Sequence, residues 1–206
     1  MNKLVNFKAG AAVALAALTM AVALPAAAKG PKGPVPGKPG EANIVEIATA
    51  VNKQSGEFEY LLAAATCDYF DGAVAELLTG KKKLTLFAPT DDAFIALQKA
   101  LGVTEPAPEV TCAAFAETPE VLFDVLAYHV TEGRRFSNSV FNRNAVKQIR
   151  MLNGQFVITN PGFTLTDIAG NEVSIVVDED EAPVANINAS NGVIHVIDTV
   201  LLPFVP

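Results

Sequence analysis

Two histidines, two cysteines and one run of acids are the residues of this 206-residue chain whose chemistry could reach beyond packing. His195 precedes Asp198 by three positions, and the two could be imagined as an acid–base couple. The alternation around them reads as a strand on which Val193, His195 and Ile197 face one side and Ile194, Val196 and Asp198 the other, which argues against the couple. A catalytic cysteine would need an imidazole close in space, and nothing in the spacing puts one beside Cys67 or Cys112. Asp178-Glu179-Asp180-Glu181 supplies the clustered oxygens a calcium ion prefers. Adjacent side chains on an extended chain diverge, however, so a solvated loop before Ala182-Pro183 is the simpler expectation. The chain has no Gly-x-Ser-x-Gly elbow, phosphate-binding loop or zinc-ligand spacing. A hydrolase therefore lacks its nucleophile–base pair.

Composition narrows the classes further. Half of the residues are hydrophobic, which fits a globular domain and not a disordered or fibrous chain. A net charge of −7 disfavours nucleic acid, whose phosphates are held by lysine and arginine. Two cysteines can build neither a disulfide-dense miniature scaffold nor a four-cysteine metal site.

Residues 1–28 read as a secretory signal peptide. Lys3 and Lys8 precede an uncharged run from Ala9 to Leu24, and Ala26-Ala27-Ala28 supplies small residues for cleavage. The run is shorter than the roughly 20 residues a bilayer requires, so no stable membrane insertion is expected after cleavage. Residues 29–40, KGPKGPVPGKPG, have almost nothing to bury and read as an extended linker. The domain proper is 41–206, with ten basic and 22 acidic side chains, a net −12. Export would place Cys67 and Cys112 in an oxidising compartment, where one disulfide is favoured over two buried thiols. The expected location is secreted or periplasmic.

The elements that must position these residues follow from periodicity. Asn43-Ile44-Val45-Glu46 is a capping-box pattern ahead of Ile44, Ile47, Ala48 and Val51 on one helical face. Phe58, Leu61, Leu62 and Ala65 repeat the spacing, and Val74, Leu77 and Leu78 predict a third helix ending near Gly80. Lys81-Lys82-Lys83 reads as a solvated turn. Leu84 to Ala88 predicts a strand, and Thr90 a helix cap with Asp91 and Asp92 in the first turn and a buried stripe of Phe94, Leu97 and Leu101. A loop with Pro106 and Pro108 follows, then Thr118-Pro119 as cap and first helical position, with Leu122, Val125, Leu126 and His129 on one face. From about Val146 the pattern becomes short β-type runs. These flank Asn153-Gly154, Ala169-Gly170-Asn171 and Ser190-Asn191-Gly192, where Asn191-Gly192 suits a left-handed turn. Helices first and a meander later predict one α+β domain. Asn188-Ala189-Ser190 matches a glycosylation acceptor but lies inside the last of these runs.

Three segments together resemble the fasciclin domain: Leu84-Thr85-Leu86-Phe87-Ala88-Pro89-Thr90-Asp91-Asp92-Ala93-Phe94, then Leu126-Ala127-Tyr128-His129-Val130, then the run from Ala189 to Pro203. They stand in the family's order, and the resemblance covers about Ile44 to Pro203. It implies a fasciclin-like β-wedge with helices packed along it. It also implies a cell-adhesion or extracellular-matrix type of interaction module, binding a protein or surface polymer without catalysis or cofactor. An envelope protein binding a small ligand or carbohydrate is the alternative, and a deep apolar pocket would be its sign. The absence of tryptophan weakens its sugar version. Within the resemblance, Thr90, Asp91, Asn191, Gly192, His195 and Asp198 are structural motif positions. Tyr128 and His129 are positions linked with integrin binding in animal members. The signal segment and linker here are of a bacterial kind, so an integrin is a poor candidate. Read as residues alone, Tyr128 and His129 are polar groups in an apolar stretch, each needing an internal hydrogen-bond partner.

Overall fold

Asn43 opens the first helix as its sequence predicts. Its side chain accepts from Glu46 N and Glu46 returns a carboxylate to Asn43 N, closing a full capping box. The computed structural model describes residues 40–141, 145–178 and 180–205. The signal peptide expected at 1–28 and nearly all of the linker expected at 29–40 lie outside the described residues.

Three helices come first, α1 (Ile44–Ser55), α2 (Glu59–Ala65) and α3 (Ala73–Thr79). Strand β1 (Leu84–Pro89) leads into α4 (Asp91–Ala100), followed by α5 (Pro108–Ala114) and α6 (Pro119–Tyr128). Then come β2 (Val130–Glu132), the single turn α7 (Ser137–Val140), β3 (Lys147–Arg150), β4 (Phe156–Asn160), β5 (Thr164–Thr166), β6 (Glu172–Ser174), β7 (Ile187–Ala189) and β8 (Gly192–Ile197).

The strands make two four-stranded sheets, ordered β2-β1-β8-β7 and β3-β4-β5-β6. The second is the meander that the hairpin signals predict. The last hairpin departs from it: β8 leaves the meander and pairs in parallel with β1, over the register Leu84↔Gly192 to Pro89↔Ile197. That pairing makes β1 and β8 central strands, buried on both faces, which is why each reads as a near-continuous apolar run.

Two cores result. On one face of the first sheet Leu84, Leu86, Ile194 and Val196 meet Ile44, Phe58, Leu61, Phe94 and Leu126 from the helices. On the other, Phe87, Ile197 and Leu201 join Tyr128, Val140, Phe141, Ile149, Val157 and Leu165 between the sheets. The period-two alternation along β1 and β8 therefore divides the molecule into a helical half and a double-sheet half.

Several local expectations are corrected. The loop after Pro106 contains α5, too short for its periodicity to show, with Pro108 at a first-turn position where its missing N–H costs nothing. In α4 the buried polar residue is Gln98, hydrogen bonded to Ala107 and Thr111, whereas Leu101 is half exposed because the helix ends at it. Thr118 precedes α6 but makes no side-chain cap. The Asn153-Gly154 hairpin closes through Met151 N–H to Gln155 O, so its loop has three residues with Gly154 in the left-handed region, at φ 90°.

Candidate functional site

The motif residues lie around the central strands β1 and β8, some turned to the helices and others to the second sheet, and their polar side chains bond backbone groups there. Thr90 Oγ1 accepts from Ala93 N at 3.3 Å and caps α4. Asp91 does more than complement that helix. Its carboxylate accepts from Tyr60 N at 3.0 Å and Glu59 N at 3.3 Å, capping α2, whose own cap position is Phe58 with no side chain to offer. Glu57 returns the contact, accepting from Asp91 N at 2.7 Å. Burial raises both the Glu57 and Asp91 carboxyl pKa values from their ordinary levels, against the backbone N–H bonds that lower them.

Tyr128 and His129 end α6, and both are fully or nearly fully buried. The Tyr128 hydroxyl donates to Phe156 O at 2.8 Å, tying α6 to the second sheet, and burial pushes its pKa up to about 12. His129 Nε2 accepts from Leu201 N at 2.9 Å, which leaves the ring proton on Nδ1, facing Val125 O at 2.7 Å. Burial pushes the imidazole down from 6.5 to about 4. His129 thus stays neutral and bridges the end of α6 to the C-terminal segment.

His195 repeats the device with the opposite tautomer. Its Nδ1 accepts from Asn186 N at 3.4 Å and its Nε2 faces Arg135 O at 2.8 Å as donor. The ring stacks on Phe87, its register neighbour on β1, at 5.5 Å between centroids. Burial lowers its pKa. Asp198, beyond the end of β8, accepts from Ser174 N at 2.9 Å instead of meeting His195.

Asn191 and Gly192 carry a different role from the left-handed turn expected of them: neither has positive φ. Asn191 is buried and joins three elements, accepting from Ile44 N at 3.0 Å and donating to Leu78 O at 2.6 Å and Gly80 O at 3.1 Å. Gly192 is required by proximity, since a Cβ there would lie 2.4 Å from Leu84 O and 2.7 Å from Ile44 Cδ1.

A disulfide joins Cys67 to Cys112, Cα atoms 5.7 Å apart, linking the end of α2 to α5. In the acidic run, Asp178 Oδ1 accepts from Asp180 N and Ala182 N, a tight turn closed by its own side chain, while Glu179 lies outside the described residues. Among the described residues no group of three or more His, Cys, Asp or Glu side chains is arranged to hold a metal ion.

Two surface features went unread in the sequence. An apolar crevice between α2, α3 and α6, lined by Leu61, Leu78, Phe123 and Leu126, offers about 20 Å³, room for about one water molecule. A polar recess of about 350 Å³ lies where β2 meets the β3–β4 turn, with Glu132, Arg135 and Arg150 on its walls. No motif marks it, because its residues come from segments some 20 positions apart; the cue available was the charge distribution along the chain.

The architecture is that of a known class. The family model for the fasciclin domain matches residues 65–203, and the chain belongs to that family. A relative from Synechocystis sp. (strain ATCC 27184 / PCC 6803 / Kazusa), "Protein sll1483", is 31% identical over 162 residues, covering 78% of this chain and 73% of the relative. The fold is also similar to that in a solved FAS1 domain pair from the insect cell adhesion molecule Fasciclin I, with a TM-score of 0.51 and 13% identity. That match covers 79% of this chain, which spans about half, 51%, of the insect chain. Among the described residues no helix is long and apolar enough to cross a membrane.

Proposed function

We propose that this fasciclin domain is an exported interaction module that binds a protein or a surface polymer reversibly, without turnover. One observation carries the reading. The polar side chains of the motifs, from Thr90 and Asp91 through Tyr128 and His129 to Asn191 and His195, are engaged in internal hydrogen bonds to backbone. They act as struts that hold two cores in register, and recognition falls to the outer surface they keep rigid. Membership of a family known in adhesion-type proteins supports the module reading, and the Cys67–Cys112 disulfide supports an oxidising compartment. The signal-type segment at 1–28 and the linker at 29–40 fit a domain displayed away from its point of attachment or release.

The test is crosslinking capture from native envelope with the full chain as bait, followed by return of the captured component to purified protein. Reversible, saturable binding is expected. Consumption of that component, abolished by a defined point substitution, would refute the reading.

A further inference from the structure

Residues 133–166 contain five basic side chains, Arg134, Arg135, Arg143, Lys147 and Arg150, and not one acid. The rest of the domain, within 41–206, holds five basic and 22 acidic residues. Arg134 is spent internally, its Nη2 donating to Ala189 O at 3.0 Å, and Arg143 lies outside the described residues, so the exposed Arg135 and Arg150 carry the local positive field.

Arg135 and Arg150 reach the surface at the recess of about 350 Å³ beside β2. Both are held from beneath. Arg135 N donates to Thr85 Oγ1 at 2.8 Å, its carbonyl receives His195 Nε2, and its Nε donates to Glu132 O at 3.0 Å. Its two Nη groups make no hydrogen bond among the described residues. Arg150 is fixed by Thr131, whose buried hydroxyl donates to Arg150 O at 2.8 Å, and Arg150 Nη2 lies 3.8 Å from where a Cβ on Gly154 would sit. Its cross-strand partner is Phe156, which is also exposed. Glu132 lines the same recess, so two guanidiniums stand against one carboxylate, and no ion pair joins them among the described residues.

We infer that this recess binds the carboxylate groups of an acidic polysaccharide, a polyuronate, with one sugar ring seated between Arg135 and Arg150. Guanidinium recognises carboxylate through two parallel N–H···O bonds, and the recess has the volume of a small-molecule site. It lacks the deep apolar anchor a protein hot spot needs. A polymer with a charge on every ring meets Arg135 and Arg150 at the recess and is repelled by the acidic remainder of the domain. Recognition by charge also needs no tryptophan platform.

The inference rests on the reading of the domain as a binding module, and the experiment separates the two. The full chain is run in affinity gels containing polygalacturonate, fully methyl-esterified polygalacturonate or no polymer, at low and at moderate salt. Retardation by the free acid alone, weakened by salt, is expected. The R135Q/R150Q double variant is expected to lose about tenfold in affinity and E132Q to gain about threefold, while K99Q, on α4 outside the recess, matches the parent. Equal binding of the esterified polymer, parent-like binding by R135Q/R150Q, or an equal loss in K99Q overturns the site. Capture of phosphatidylglycerol vesicles without retention of polygalacturonate overturns it too. Should the double variant fold poorly, the gain in E132Q decides alone. Any of these failures removes the polyuronate site and leaves the module reading to the envelope capture.

Discussion

Replacing His129 with alanine should separate an internal strut from a partner-facing ring. The side chain accepts from Leu201 N and serves Val125 O, across 72 residues of chain in the first case. Truncation orphans a buried donor and a buried acceptor, each costing about 1–3 kcal/mol, for a total of about 2–6 kcal/mol. In a domain of this size that lowers the melting temperature by about 4–24 °C at neutral pH. The pH dependence gives a second reading. The folded-state pKa lies below the unfolded value, so between pH 6.5 and about 4 the unfolded chain binds a proton that the folded chain refuses. Stability is fully present above pH 6.5 and is lost as the pH falls through this window, by about 3 kcal/mol from this group. His195 is shifted in the same direction, whereas the raised carboxyls of Glu57 and Asp91 act in the opposite sense. Subtracting the H129A profile from the parent profile removes those shared contributions. The assay is urea unfolding followed by circular dichroism at several pH values between 4 and 7.5. A parent-like melting curve at neutral pH, or a difference profile flat from 6.5 to 4, would refute the reasoning.

Three further outcomes follow from the same junction. Asn191→Ala leaves Ile44 N, Leu78 O and Gly80 O without their side-chain partner and should cost about 2–4 kcal/mol in denaturant unfolding, detaching α1 and α3 from β8. Gly192→Ala forces a Cβ within 2.4 Å of Leu84 O, so it should destabilise by about 1–3 kcal/mol or more through separation of β1 from β8, seen as faster amide exchange in those strands. Thiol titration of denatured, unreduced protein should return no free cysteine, and reduction should lower stability by about 4 kcal/mol for a loop of 45 residues' separation.

Much of the local chemistry was legible where its cause lies within a few residues, although the Thr118 cap and the left-handed Asn191-Gly192 turn were not realised. The Asn43–Glu46 capping box, the Thr90 cap, the Pro119 start and the alternation along β8 are all set by neighbours in sequence, and each stands where its pattern put it. The short helix α5 was hidden because seven residues give too little periodicity to outweigh Pro106 before it and Pro108 at its start. The burial of Gln98 was hidden because its partners, Ala107 and Thr111, belong to a segment that reads as loop.

Amino-acid order alone determined that this is a helices-then-strands domain, acidic apart from one stretch, with polar residues placed inside apolar runs. Only the tertiary structure decided what those polar residues face. The parallel union of β1 with β8 brings Phe87 beside His195 and Gly192 against Leu84, and it carries Leu201 to His129. The same closure turns Asn191 from a turn residue into a clamp on α1 and α3, and the fold brings Arg135 and Arg150 to the walls of one recess. The physical reason is separation along the chain: a pairing of strands a hundred residues apart leaves no trace in any window short enough to read, while its consequences fall on every buried hydrogen bond it creates.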